Sequence, residues 1–516
     1  DENVATVDKP TGEVTAVAQG STYIKLYNER NNLYSAVKVN VNGEGNITAP
    51  KIVGGYNHFV ALKADGAVWT WGNNGYGQLG TGDNVNKTEP TQVKAVNENG
   101  EQEEIADAID VAAGDYYTLV LRKDGTVWAS GRNEYGQLGD GSNVNTNLFH
   151  KVKLNDNGDY LENIIGITSE AATAHALAAD GSVYSWGYNG YGELGVNNTT
   201  HSSYPVKMQK VSNIIQIEGG AHHVSMLDAD GSVWSVGRND LGQFGIHNTT
   251  SASLPIQMQD TDGSILYGVK EVAAGRHHTI VLKEDGTVWG TGNASMGAIG
   301  DGTNNADVVA RTVIKQIKVE KTVEGEKVYE EITDGKHIYA GGDSTYITRQ
   351  KDEEGSNQGM YVMGWNNYGQ LFTGSAGNKL YATEVQTDKD IITAALTENR
   401  YYQSYNEYNY QTGAIADQDG MVYTVGYNGN GEMGNDTVQN LTTPWCISNL
   451  KIEVDPHIIN YKNIGDNTEK ITQNITMGFN LIKEAKTGGT FTYSTMDPEI
   501  ATVDEEGIVT ATGIGS

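Results

Sequence analysis

The stretch Ala61–Gly82, ALKADGAVWTWGNNGYGQLGTG, contains within it Gly75-Tyr76-Gly77-Gln78-Leu79-Gly80, the G-x-G-x-x-G spacing of dinucleotide-binding enzymes. In those enzymes a strand enters the motif and a helix opens from it, so that the helix N-terminus holds the pyrophosphate. Here the next residues, Thr81–Val96, read TGDNVNKTEPTQVKAV: turn chemistry, then an extended run with no stripe at helical spacing. Nucleotide binding is therefore not expected.

The stretch also recurs. Copies begin at Gly72, Gly131, Gly187, Gly237, Gly292, Gly364 and Gly426, and the fingerprint's first glycine is Glu134, Asp240, Ser295 and Asn367 in four of them. The kept frame is instead G-x-N-x-x-G-[QE]-[LFM]-G. It reads as a backbone device: glycines where φ must be positive, an Asn or Gln to bond the turn, and one apolar plug.

Each copy ends a longer unit. Three residues before its first glycine stands an aromatic, Trp69, Trp128, Tyr184, Trp234, Trp289, Tyr361 or Tyr423, and upstream of that an Asp-Gly pair such as Asp65-Gly66, Asp124-Gly125 or Asp419-Gly420. Asp-Gly between short apolar runs signals a hairpin, both residues tolerating left-handed conformations. Each unit is thus a small antiparallel sheet, and units repeated at intervals of roughly 50–70 residues mark a solenoid, propeller or array. With no helices to build a solenoid, and strand edges that radial closure would protect, the blade of a propeller fits best. The unit resembles the regulator of chromosome condensation (RCC1) repeat, which implies an all-β, seven-bladed β-propeller over residues 45–449; the fifth copy departs from the frame at Ala294 and Ala298, and the sixth ends in Phe372 instead of glycine.

The flanks differ. Residues 1–44 and 450–516 share the pattern ATVD…G-x-VTA, at Ala5–Ala16 and Ala501–Ala511, and resemble the C-terminal and N-terminal parts, respectively, of bacterial Ig-like domains of group 2. That resemblance implies partial β-sandwich segments at both ends, adjacent Ig-like domains in a longer modular protein, and an extracellular or bacterial cell-surface location.

The balance of 35 Lys and Arg against 65 Asp and Glu gives a formal net charge of −30. Such a field repels phosphate backbones and anionic lipid surfaces, so no nucleic-acid partner is expected. A single cysteine, Cys446, excludes an internal disulfide framework and a Cys-rich zinc site. No apolar run reaches transmembrane length, so no membrane insertion is expected in this segment.

Candidate chemistry is sparse. His58, His222, His223, His277 and His278 fall at or beside one repeat position, where a metal is conceivable but a bond to a neighbouring turn is the expected role. Asp83, Asp140 and Asp301 follow the motif once per blade, as turn residues instead of a convergent calcium site. No nucleophile–base–acid order stands out, and neither catalysis nor a cofactor is expected. The most irregular segment is ENRYYQSYNEYNYQTG, with Tyr401, Tyr402, Tyr405, Tyr408 and Tyr410 among Asn, Gln and Ser, the composition of adaptable binding loops. These are the candidate partner-binding residues; alternatively the rings pack on a neighbouring module or close the ring. A charged insertion from Lys318 reads as a solvated hairpin. The expectation is a non-enzymatic recognition module that binds a protein or glycan through a propeller rim, with a regulator or inhibitor that covers a partner enzyme as the alternative.

Overall fold

The computed structural model describes residues 48–452, apart from 98, 304–309, 353–355, 357–358, 388, 399 and 402–407, together with the outlying strands Ala5–Val7, Val14–Ala16, Gly20–Asn28, Leu33–Val41, Ala501–Val503 and Val509–Ala511. The shared pattern at the two ends forms the same local structure: Ala5–Val7 pairs antiparallel with Val14–Ala16, and Ala501–Val503 with Val509–Ala511.

Seven sheets make the all-β, seven-bladed propeller. The first blade, Lys51–Gly54, His58–Leu62, Val68–Gly72 and Lys87–Gln92, is an antiparallel meander, and the others repeat it. The first strand of every blade lies innermost and packs against its counterparts on either side, with Ile391–Leu396 of the seventh blade beside Lys51–Gly54. Side chains clamp these inner strands together. Asp110 accepts from the Ile167 N–H at 3.0 Å, Gln216 from Val272 at 3.0 Å, Glu271 from Ile338 at 2.9 Å, and Thr393 from Ile52 at 3.3 Å. The last bond joins the seventh blade to the first.

The Asp-Gly hairpins form, but with a division of labour that the two-residue reading missed. Only the glycine has positive φ, 84° at Gly66, while Asp65 accepts from the Ala67 N–H at 3.0 Å. The Gly66 N–H donates to Lys63 O and the Lys63 N–H to Ala67 O, so the turn is a longer loop with its glycine in a bulge position. The aspartate is thus there as a side-chain acceptor.

The outer edges are also managed. Pro90, Pro205, Pro255 and Pro444 occupy one equivalent position in four outer strands. In the second and sixth blades, Phe149 and Ala382 stand there, and an added hairpin covers the edge: Lys94–Val96 with Gln102–Glu104, and Lys318–Val323 with Glu326–Glu331. Proline and edge-covering hairpins both discourage further strand pairing. The second of these is the charged insertion from Lys318.

Candidate interaction face

Because Gly72 pairs with His58, the motif loop that follows the third strand and the turn between the first two strands emerge on one edge of the blade. The Asp-Gly hairpins emerge on the other. The disc therefore has a loop face and a hairpin face.

The repeated asparagine builds the loop face. Asn74, fully buried, accepts from the Leu79 N–H at 3.0 Å and donates to Asp83 O and Val85 O at 2.9 and 3.2 Å. Asn133, Asn189, Asn239, Asn366 and Asn428 likewise accept from the residue five positions on. The next polar residue fastens the tip: Gln78 accepts from the Tyr76 N–H and Glu193 from the Tyr191 N–H. The frame that the sequence repeats is spent on holding the loop. Its variable positions are the ones that face outward.

Those variable positions are rich in rings and guanidinium groups. Between the first and second blades, Tyr116 lies 4.8 Å from Tyr56 and 5.0 Å from Tyr76, ring centre to ring centre, and Arg132 stands over Tyr76 and Tyr116 at 5.3 and 5.7 Å. Across the second to fourth blades, Tyr188 meets Tyr135, His201 and His222 at 5.0, 4.8 and 5.3 Å, and Arg238 stands over Tyr191. Between the sixth and seventh, Tyr427 lies 5.4 Å from Tyr368 and 4.7 Å from Tyr410. Most of these side chains are half-buried; His201 and Tyr191 are exposed, Tyr191 to 39%. Anchored yet accessible Tyr and Arg are the residue types that concentrate binding energy.

At the axis of this face the inner turns carry Asp115, Arg276, Asp343 and Glu398. Burial, and secondarily the charge of Asp115, pushes Glu398 up to about 8, and burial raises Asp115 against the opposing pull of His222 and Arg276. On the innermost strands, Lys51 bonds Asp110 at 2.7 Å, and burial holds Glu218 near 7 despite Lys51.

The residues singled out from sequence fall as follows. Tyr401 pairs with Tyr408 in a two-residue ladder, Arg400–Tyr401 with Tyr408–Asn409; Tyr402 and Tyr405 lie outside the described residues. Tyr410 is half-buried between Tyr368 and Tyr427. The repeat glycines Gly72, Gly131, Gly187, Gly237, Gly292, Gly364 and Gly426 all have positive φ. Trp128 and Trp289 bond Thr126 and Thr287 in their own hairpins and take Arg122 and Lys283 on their faces, while Trp69 and Trp234 are half-buried. Asp83, Asp140 and Asp301 each accept from the backbone two residues on. His58, His223 and His278 reach a threonine of the next blade, Thr118, Thr279 and Thr345, at 3.0, 3.2 and 2.9 Å. Thr118 and Thr345 donate onward to Gln78 O and Ala298 O, so His58 and His278 must carry their proton on Nε2. Among the described residues no group of three His, Cys, Asp or Glu could hold a metal.

One constellation was invisible in the sequence. Ser185 Oγ lies 2.8 Å from His175 Nδ1, and His175 Nε2 lies 3.1 Å from Glu170 Oε1, the connectivity of a hydrolase triad. All three side chains are sealed from solvent, so no substrate can reach the hydroxyl. Burial depresses His175 to about 3 and raises Glu170 well above the carboxylate range, leaving a neutral pair. The cause is a local exchange. Glu170 takes the place held by Gly55, Gly114, Gly220 and Gly275, which make room for the rings of His58, Tyr117, His223 and His278; the third blade has the smaller Thr173 there.

Comparison with known proteins agrees with this architecture. The regulator of chromosome condensation (RCC1) repeat model matches residues 65–121, 124–157, 180–227 and 230–282, and a second model of the same repeat matches 51–78, 108–137 and 269–298. The chain carries RCC1 repeats. It is similar to probable E3 ubiquitin-protein ligase HERC4 of Homo sapiens, 33% identical over 181 residues, and to the ultraviolet-B receptor UVR8 of Arabidopsis thaliana, 30% identical over 158 residues. The matched stretches cover 33% and 31% of this chain, but only 15% of HERC4 and 33% of UVR8. Prp20p from Saccharomyces cerevisiae, whose structure was described with its binding to Gsp1p and histones, shares the fold of these RCC1 repeats at a TM-score of 0.56 and 20% identity, covering 73% of this chain and 85% of that one.

Proposed function

We propose that this chain is a non-enzymatic recognition module that docks a protein partner on its loop face. The observation that carries the reading is the division within each repeat: the repeated residues hold the loop, and the variable ones place Tyr, Arg and His side chains on one side of the disc. Rigid amphipathic rings give contact area at low entropic cost, the economy used by antibody loops. Prp20p, named with Gsp1p and histones, offers a precedent for protein binding by this fold, at the level of fold alone. A glycan could also stack on tyrosine rings, but the interleaved guanidinium groups favour a protein. A partner enzyme covered by this face is one form the same reading takes. Neighbouring Ig-like modules and an extracellular or bacterial-surface setting belong to the same proposal, on the sequence resemblance of the Ala5–Ala16 and Ala501–Ala511 pattern.

Photo-crosslinking amino acids placed at positions 116, 191 and 368 of the full protein in its own host test the reading against positions 124 and 285 on the hairpin face. Protein crosslinks from the loop face alone are expected. Crosslinks from the hairpin face alone would refute it.

A further inference from the structure

At the loop-face rim, the seams between blades repeat one backbone contact. The residue two positions past the motif's last glycine donates to the outer strand of the next blade: Gly82 N–H to Asn147 O, Gly141 to Ser203, Asn197 to Ser253, His247 to Thr312, Gly302 to Leu380 and Asp436 to Thr88. The side chain that follows the acceptor then covers the turn in three of these seams, with Leu148 over Gly82, Tyr204 over Gly141 and Tyr381 over Gly302.

The seam between the sixth and seventh blades departs from this. Phe372 stands where the other copies end in glycine, and it keeps their left-handed φ at +58°. Two residues on, Gly374 is placed to donate to Thr442 O, but among the described residues that bond is absent, and a Cβ built at 374 meets nothing within 4 Å. The residue placed to cover the turn is the short Thr443. A Cβ at Gly369 would stand 3.0 Å from Thr442 Cα, the widest approach of the seven seams, the others being 2.4–2.8 Å.

The seventh outer strand is uncovered as a result. Pro90, Pro205 and Pro255 are buried, whereas Pro444 is exposed together with Thr442, Thr443 and Trp445, the last to 44%. In a chain of net charge −30, neither Phe372–Asn378 nor Thr437–Leu450 contains a charged residue. Exposed tryptophan in charge-free surroundings is the composition of an interface core. The patch continues into the tyrosines of the same seam, Tyr368, Tyr410 and Tyr427.

We propose that this notch seats an extended, uncharged segment of the protein partner. The segment places a leucine or tyrosine side chain over Gly374, the role that Leu148, Tyr204 and Tyr381 fill elsewhere, and packs along Trp445. Its backbone bonds the Gly374 N–H and the Thr442 carbonyl, in the manner of a strand added to a sheet edge. The proposal deepens the docking reading and rests on the partner being a protein.

Random linear peptides displayed on phage are selected on the full chain, and the best binders, synthesised with a fluorescent label, are titrated against the parent and three variants. The binders should be uncharged and share a leucine or aromatic position. Trp445→Thr, which copies Thr91 of the first blade, should weaken them about tenfold. Thr443→Tyr, which copies Tyr204 and Tyr381 and fills the notch from within, should weaken them at least as much without lowering the melting temperature. Tyr267→Ser, at a ring 53% exposed elsewhere, should change nothing. Failure to select a binder, or binders indifferent to both Trp445→Thr and Thr443→Tyr, overturns the notch; loop-face crosslinks from positions 116 and 191 would then leave the docking face standing without it. Peptide binding with this dependence, alongside crosslinks from the hairpin face alone, would overturn the docking-face reading and spare the notch.

Discussion

Gly431 of the seventh blade lies against Thr88 of the first: a Cβ at 431 would stand 2.8 Å from the Thr88 Cα, and nearby the Asp436 N–H donates to Thr88 O at 3.0 Å. The same approach joins Gly77 to Asn147, Gly136 to Ser203, Gly192 to Ser253, Gly242 to Arg311, Gly297 to Lys379 and Gly369 to Thr442. The ring therefore closes by the contact that joins every other pair of blades. Each blade is one continuous chain segment, and among the described residues no strand is shared between the two ends of the propeller. Trp71 reinforces the seam by donating from its indole to Glu432 O at 2.8 Å.

Gly431→Ala should then weaken closure specifically. Its φ of +91° disfavours any L side chain, and the added methyl meets backbone. A loss of about 1–3 kcal/mol is expected in chemical denaturation. Limited proteolysis of the parent should leave a fragment near residues 45–449 intact, whereas the variant should be cut first within the first or seventh blade. Gly77→Ala, with φ of +82° and its Cβ 2.6 Å from Asn147 Cα, should cost as much without opening the seam. Its effect belongs to stability, so NAD or ATP should protect neither protein from unfolding. Cleavage of the parent between central blades would count against a closed ring.

Stability should fall as pH rises from 7 to 8.5. Burial places Glu432 and Glu218 near 7 and Glu398 near 8, against an ordinary value of 4.5. A carboxyl whose folded value is raised contributes its stability below the unfolded value and loses it as pH climbs through the folded one. The buried His58, His175, His223 and His278, depressed to about 3 from 6.5, act the other way, but only as pH falls below 6.5. Glu432→Gln isolates one contributor: about 1–3 kcal/mol of stabilisation at pH 8.5 and almost none at pH 4. Urea midpoints across this range check it, and a gain independent of pH would refute the assignment.

Thr345→Val tests the imidazole latch between the fifth and sixth blades. The hydroxyl receives His278 Nε2–H and donates to Ala298 O, and all of it is buried. Valine keeps the shape and leaves one donor and one acceptor unpaired, at a cost of about 2–4 kcal/mol. A metal role for His278 would instead make the stability of the parent respond to EDTA, which the latch does not.

Much of this architecture is legible in the sequence. Asn74 and its equivalents bond the turn as the repeated frame implies, and Leu79 and Leu138 are buried apolar plugs. What the linear pattern hides arises from positions brought together across blades. Tyr116 sits 40 residues beyond Tyr76 in the chain, and only the radial arrangement makes them neighbours. The available signal lies in the variable positions of the motif, where Arg132, Tyr188, Arg238, Trp365 and Tyr427 follow the opening glycine. The insertion at 399–411 stands out in the sequence by its length and tyrosine content, yet of its rings only Tyr410 has described packing, against Tyr368 and Tyr427. The Ser185–His175–Glu170 set depends on a pairing across adjacent strands and on Glu170 replacing a glycine, which no linear motif reports.

Two tyrosines on the loop face should separate packing from recognition. Tyr410 packs at 4.7 Å against Tyr427 and 5.8 Å against Tyr368, so Tyr410→Ala removes an aromatic pair contact and part of a buried ring. A loss of about 1–2 kcal/mol is expected. Tyr191 is 39% exposed, and its backbone N–H, which donates to Glu193, is kept in any substitution. Tyr191→Ala should therefore change the melting temperature by less than Tyr410→Ala does, while weakening a partner docked on this face by about 2 kcal/mol. Thermal melts of both variants, with affinity measured for any protein crosslinked from position 116 or 368, decide the point. If Tyr191→Ala destabilises the fold as much as Tyr410→Ala and leaves affinity unchanged, the exposed ring is structural and the loop face has lost its strongest candidate anchor.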